Sequence, residues 1–248
     1  MIPPTNKFTY VIPYRHRQDR IMNLRKIIDW VSGFSGVEIL IIEQDKHSRI
    51  KHLNLRATHV FVKSEMPFNK AWVYNIAIKR SSSDIIIFGN SDIIMNPMEL
   101  IESIKNLGDN DVVIPCSTIS RLTYQESSAD FNTMLNSSKP QEKKICMSDG
   151  ITIFKKSSIM NIGGWNEDFL KTGNFEDKFQ DIKIQKFCKF KQLDYKSYHL
   201  WHNIDNLDYS IQERNQNLFN KYISVNDETL KNQSLSVIPM IGSLNKYS

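Results

Sequence analysis

The chain has 248 residues, with 32 Lys and Arg against 27 Asp and Glu for a net charge of +5, and is 40% apolar, 10% aromatic and 24% charged. These are globular values, and a chain this long buries most of its apolar surface without disulfides or a structural metal, so disordered, collagen-like and disulfide-scaffold classes are excluded. Three cysteines, Cys116, Cys146 and Cys188, stand far apart with no CxxC spacing; neither a zinc cluster nor a disulfide framework is indicated, and a reducing compartment is expected.

The first residues lack a charged-then-apolar signal layout, and no run approaches the roughly 18 apolar residues of a membrane helix, so the sequence reads as soluble and cytoplasmic, without an integral membrane segment. FTYVIP (8–13) reads as a buried strand, and Ile21, Leu24, Ile27 and Ile28 fall at helical spacing up to Ser32-Gly33. VEILIIE (37–43) and THVFV (58–62) read as strands, 69–79 as an amphipathic helix, and DIIIF (84–88) as a strand buried on both faces. Strand, helix, strand, helix, strand is the βαβ signature of an α/β fold.

The second half is less regular. A helix is expected over 97–106 and a strand at VVIP (112–115), then a polar stretch, 117–144, long enough to mark a functional or mobile lid. ITIF (151–154) reads as a strand, followed by a short helix to Asn161 and a Gly163-Gly164 turn. From Glu176, the positions Phe179, Ile182, Phe187 and Phe190 give a helix with one apolar stripe; KSYHLWH (196–202) reads as a strand and 208–223 as a helix before a weakly patterned tail.

In an open parallel sheet, ligands sit beyond the carboxyl ends of the strands. Those ends carry Pro13-Tyr14-Arg15-His16-Arg17, Glu43-Gln44-Asp45 and Gly89-Asn90-Ser91-Asp92. No Gly-rich phosphate cradle is present, so a phosphate would be met by Arg15, Arg17 and a divalent cation; the two arginines read equally well as solvated residues leading into a helix. Residues 1–80 hold 14 basic and 6 acidic side chains, net +8, which suits a phosphate-bearing ligand, a nucleic-acid surface or a plain solvated face. Asp92 follows an apolar strand, where a carboxylate needs a partner or a metal. A cation such as Mn²⁺ or Mg²⁺ takes carboxylate oxygen, and Mn²⁺ also accepts imidazole. His199 and His202 are three apart and can share a cation only if the strand ends or bends between them. Glu176 and Asp177 stand at a helix N-terminus, where the dipole favours acids and where one carboxylate can act as a general base. Trp165 reads either as part of a turn or as an exposed aromatic that stacks on a sugar.

In this order, the blocks resemble the β-1,4-galactosyltransferase family and the related chondroitin-polymerase-type enzymes of the GT-A glycosyltransferase fold, over about Tyr10 to His202. VIPYRHRQDR (11–20) is similar to the family's IPFRNRQ block, PFNKAWVYNIAI (67–78) to FNRAxLLNVG, GNSDIIMNP (89–97) to SDVDLIP, GGWNEDF with FED (163–169 and 175–177) to the NGF and GWGGEDDD block, and YHLWH (198–202) to MxxH. The resemblance implies that Pro13, Tyr14, Arg15, Arg17, Phe68 and Lys70 face the nucleotide, that Asn90-Ser91-Asp92 stands for the D-x-D motif, and that Asp92, His202 and His199 bind Mn²⁺. It also implies that Asp177 is the catalytic base and Glu176 its acceptor-orienting neighbour. Asn90 replaces the first Asp of D-x-D, and Gly173 stands where the family has Trp, so galactose specificity is not carried over.

The expected architecture is a GT-A domain over 1–205, with a nucleotide-sugar half (1–95) and a metal and acceptor half (96–205), followed by a C-terminal extension (206–248). The expected reaction is inverting transfer from a UDP-sugar to a hydroxyl of a glycan or other acceptor, and the chain resembles a bacterial, phage or viral relative. Two alternatives stand beside it: transfer to a modified base in DNA, and a non-catalytic nucleotide- or glycan-binding module.

Overall fold

A computed structural model of the chain describes residues 7–136, 140–144, 146–170, 175–203 and 208–247. In chain order the first half comprises β1 (Phe8–Tyr14), α1 (Ile21–Val31), β2 (Val37–Asp45), β3 (Thr58–Lys63), α2 (Lys70–Arg80), β4 (Ile85–Phe88), β5 (Ile93–Met95) and α3 (Pro97–Lys105). The second half comprises β6 (Val112–Arg121), α4 (Tyr124–Ser128), α5 (Phe131–Leu135), β7 (Glu142–Lys143), β8 (Thr152–Lys155), α6 (Lys156–Asn161), α7 (Phe175–Phe187), β9 (Phe190–His199), α8 (Tyr209–Ile223) and α9 (Asp227–Ser236).

One sheet runs through both halves in the order β3-β2-β1-β4-β8-β6-β9-β5, with β7 on β6. Strands β3, β2, β1 and β4 are parallel, whereas β8 is antiparallel to β4 and to β6. Alternation along the strands fills two cores. Tyr10, Ile12, Ile39, Ile41 and Ile87 face the side covered by α1 and α3. Val11, Leu40, Ile42, Ile86 and Phe88 face the side covered by α2 and α6. Burial on both faces explains why these strands read as continuous apolar runs. The helices begin on polar caps: Asn69 accepts from Trp72 N at 2.9 Å, Asn96 precedes Pro97 and accepts from Met98 N at 2.9 Å, and Thr123 with Glu126 forms a capping box.

Three expectations change. The polar stretch 117–144 is not one loop: it holds the end of β6, α4, α5 and β7, although residues 137–139 lie outside the described residues. Phe190 does not continue the stripe of α7; the helix ends at Phe187, and Phe190 opens β9 with 38% of its surface exposed. The three-residue strand β5 was not expected, being too short to give a periodic signal, and it pairs with the end of β9. Pro115, which has no N–H to donate, falls at the first register shift of β6 against β9, between Ile114 and Cys116. Gly173, where the family's Trp was expected, lies outside the described residues.

Candidate active site

A cleft of about 1010 Å³ opens at the rim formed by the carboxyl ends of β1 and β4 and the end of β9. Gly89, the residue after β4, is required there by packing: a Cβ would lie 2.1 Å from the Tyr10 hydroxyl. Pro13, Arg15 and Arg17 line the cleft as the sequence predicted. Arg15 donates from Nη1 to the carbonyl of Met66 at 2.7 Å, tying β1 to the loop before α2. Arg17 is held by Asp19 through two bonds of 3.1 and 2.8 Å, and Asp19 also accepts from Asn203 N at 2.9 Å. That link joins the arginine to the residue after His202. Phe68 and Lys70 line the same cleft. Their loop is set by the buried Gln44, which accepts from Asn69 N at 2.7 Å and donates to the Pro67 carbonyl at 3.1 Å.

Three predicted site residues lie elsewhere. Tyr14 is fully buried among the core side chains beneath α1, because alternation along β1 turns it away from the cleft. Burial and the nearby Glu43 push its phenol pKa above the ordinary range. Glu43 is also fully buried and braces the loop after β2, accepting from Arg49 N and Ser48 Oγ at 2.8 Å and pairing with His59 at 2.9 Å. Trp165 offers no face to a sugar: it is 1% exposed and packs on Tyr74 and Phe88 at ring-centroid distances of 4.9 and 5.5 Å.

Asn90 and Ser91 lead into Asp92 along the cleft floor, with Asn90 Oδ1 3.2 Å from the Tyr74 hydroxyl. Strand β9 ends at His199 and the chain turns through Leu200 and Trp201, so the two histidines do not point to opposite faces. The turn is held by Ser127 Oγ on Trp201 N at 2.7 Å and Asn23 Nδ2 on the Trp201 carbonyl at 3.0 Å. As a result, ligand atoms of Asp92, His199 and His202 all lie within 4.8 Å of one another. Burial alone would raise the Asp92 pKa, but the hydrogen bond from His202 and the charges of His199 and Arg20 hold it well below the usual carboxylate range. His202 Nδ1 lies 2.8 Å from the Asn203 carbonyl, which only accepts, so Nδ1 carries hydrogen. Nε2 then faces Asp92 Oδ2 at 3.2 Å, an arrangement that needs a proton or a cation between them. One carboxylate and two imidazoles form a donor set suited to a divalent cation such as Mn²⁺.

Across the cleft, the first turn of α7 carries Glu176, which lines it, and Asp177, which lies beneath the surface at 1% exposure. Lys70 Nζ donates to both Asp177 oxygens at 2.7 Å and sits 3.4 Å from Glu176. Burial pushes the Asp177 pKa up to about 8, with Glu176 and Asp149 adding to the rise and Lys70 opposing it. For Lys70, burial works against the charge, yet Asp177 and Glu176 carry its pKa above the ordinary value. Lys70 thus reaches the cleft, with its ammonium on the carboxylate pair.

Arg20, Asp149 and Trp201 also line the cleft, and the sequence reading did not select them. Arg20 belongs to the RHRQDR block, which was the available signal. Asp149 stands just before β8, and a rule that inspects carboxyl ends passes over it. Because β8 runs antiparallel to β4, its beginning lies at the rim where β4 ends.

The sheet order, the helices on both faces and the rim cleft define a GT-A fold. Solved structures share it: S. aureus TarS matches with a TM-score of 0.58 and 14% identity over 94% of this chain and 43% of TarS, and TarS 1–349 with 0.57 and 15% over 94% and 70%. A mutant of Drosophila β-1,4-galactosyltransferase 7 in complex with manganese, UDP-Gal and xylobiose matches with 0.51 and 12% over 86% and 80%. The chain therefore spans less than half the length of TarS. No family model matches the sequence, and no curated protein matches it.

Proposed function

We propose that the chain is a metal-dependent, inverting glycosyltransferase that moves a sugar from a nucleotide sugar, a UDP-sugar first, to a hydroxyl of a glycan. The observation that carries this reading is the convergence on one cleft of a metal-type trio, Asp92, His199 and His202, and the first turn of α7, where Glu176 lines the cleft and the buried Asp177 is held by the cleft-lining Lys70. The Drosophila structure, whose ligands are manganese, UDP-Gal and xylobiose, supports the choice of cation, donor and acceptor class. The xylobiose, UDP-Gal and manganese of the Drosophila structure lend no support to a DNA acceptor. The coexistence of metal-type and base-type groups favours turnover over simple binding.

In this reading, Pro13, Phe68, Arg15 and Arg17 hold the nucleotide, and the guanidinium groups meet diphosphate charge. Asp92, His199 and His202 would hold a divalent cation, which when bound would supply Lewis acidity toward a diphosphate leaving group. Asp177 takes the proton of the acceptor hydroxyl as its oxygen bonds to the anomeric carbon, and the bond from that carbon to the diphosphate oxygen breaks. A carboxylate with a pKa near 8 is better matched to this task at neutral pH than an ordinary Asp. Glu176 orients the acceptor, and Lys70 keeps the buried Asp177 ionisable. Among the described residues, no helix is long and apolar enough to cross a membrane.

A thermal-shift panel of nucleoside diphosphates and nucleotide sugars, each with MnCl₂ and with EDTA, tests the proposal, because a ligand that binds only the native state raises the midpoint. A metal-dependent rise confined to uridine compounds supports the reading. No rise with any nucleotide refutes it.

A further inference from the structure

Three carboxylates line the cleft outside the metal trio and the base pair: Glu65 pairs with Lys46, Asp208 caps α8, and Asp149 is the third. Asp149 stands between the trio and the pair: the next residue, Gly150, lies against Ile93, the neighbour of Asp92, with a Cβ there 3.7 Å from Ile93 Cγ2, and the two residues before it are bonded to α7. Its side chain lines the cleft, and among the described residues no hydrogen bond or ion pair meets its carboxylate. The turn that carries it is nevertheless closely built. Asp181, one helical turn beyond Asp177 on α7, accepts from Met147 N at 2.7 Å, from Ser148 N at 2.8 Å and from Ser148 Oγ at 2.6 Å. Lys144 Nζ donates to the Met147 carbonyl at 3.1 Å, and Gly150, at φ +105°, turns the chain into β8. The helix that bears the base therefore also fixes the position of Asp149.

Resting on the glycosyltransferase reading, we propose that Asp149 binds the donor sugar and selects a neutral hexose with free neighbouring hydroxyls over an acidic one. In a single displacement the anomeric carbon lies between the leaving diphosphate, beside the metal trio, and the acceptor oxygen, beside Asp177. The sugar ring must occupy the space between, where Asp149 offers a carboxylate with no hydrogen-bond partner among the described residues. An ionised carboxylate only accepts hydrogen bonds, so two sugar hydroxyls satisfy it, whereas a uronate carboxylate repels it. A fixed acceptor in a built site rejects a ligand that leaves it unpaired.

Isothermal titration with MnCl₂ present tests this on wild type, Asp149→Asn and Asp149→Ala, using UDP, UDP-glucose, UDP-galactose, UDP-N-acetylglucosamine and UDP-glucuronate. Wild type is expected to bind at least one neutral donor more tightly than UDP-glucuronate. Asp149→Ala is expected to cut that preference about tenfold or more while leaving UDP affinity within about twofold, and Asp149→Asn to fall between the two. A preference unmoved by either variant, or a parallel loss of UDP binding, overturns the assignment. Wild type that binds UDP without preferring any neutral donor overturns it and leaves the nucleotide reading intact. Wild type that binds no uridine nucleotide removes both.

Discussion

Replacing Lys70 by Met tests the electrostatics of the buried pair without any knowledge of the substrate. The ammonium lies 2.7 Å from both Asp177 oxygens, and the two side chains are 14% and 1% exposed, so solvent screens the pair little. Removing one partner of such a pair costs about 3–5 kcal/mol if the other must stay charged. Asp177 can escape that cost by keeping its proton, because its folded pKa is already raised to about 8 and Lys70 is what opposes a further rise. The sign follows from linkage: a carboxyl raised above its unfolded pKa contributes stability that is fully present below the unfolded pKa and lost as pH rises through the folded one. In wild type that loss ends near pH 8; in Lys70→Met it continues upward at roughly 1.4 kcal/mol per pH unit. The variant should therefore lie within about 1 kcal/mol of wild type near pH 7. By about pH 9.5 it should be weaker by about a further 2 kcal/mol. Urea denaturation at both pH values reads the difference directly. A gap that does not change with pH would refute the claim that Asp177 is the group Lys70 compensates.

Asp177→Asn should lower turnover on the order of 10²-fold or more, and near-normal turnover removes the base assignment. Wild-type kcat/KM should rise with pH through about 8, since Asp177 accepts a proton only when ionised; a flat profile from about pH 6.5 to pH 9 argues for another base. Asp92→Asn should abolish the midpoint rise that Mn²⁺ gives with UDP, and a wild-type rise in that variant places the cation elsewhere. Gly89→Ala drives a Cβ against the Tyr10 ring, which is fully buried. The overpacking should cost about 1–3 kcal/mol, seen as a fall of several degrees in Tm, and an unchanged Tm means the ring relaxes freely.

Legibility in the sequence followed burial. Strands β1, β2 and β4 are buried on both faces, so their apolar runs and the polar residues at their carboxyl ends stand out, and Arg15, Arg17, Asn90 and Asp92 could be read as rim residues. Strand β9 was read only from its buried end, because its first residues, Phe190-Lys191-Gln192, are exposed and carry no strand pattern. Glu43 and Tyr14 show where the rim rule stops. None of Glu43-Gln44-Asp45 lines the cleft: Gln44, which points away from Glu43, sets the loop bearing Phe68, and Asp45, at the strand's last position, accepts from His16 N at 3.2 Å. Trp165 follows two glycines and read as a turn, yet Asn75 accepts from its backbone N–H at 2.8 Å and draws it into the core behind α2.

What the sequence could not supply is the coupling between distant segments. Spacing alone left His199 and His202 on opposite faces of a strand; the outcome depends on Ser127 and Asn23, from other helices, which hold the turn between them. Lys70 and Asp177 are 107 positions apart, and each read alone has a local explanation, a nucleotide-facing lysine and an acid favoured by a helix dipole. Only the fold shows that one neutralises the other. The same helix then fixes Asp149 through Asp181, so α7 determines the placement of both Asp177, the proposed base, and Asp149. A change in α7 packing should therefore disturb base strength and sugar preference together, whereas a change in the Trp201 turn should disturb the metal trio alone. That separation gives the two sides of the cleft independent handles for mutation.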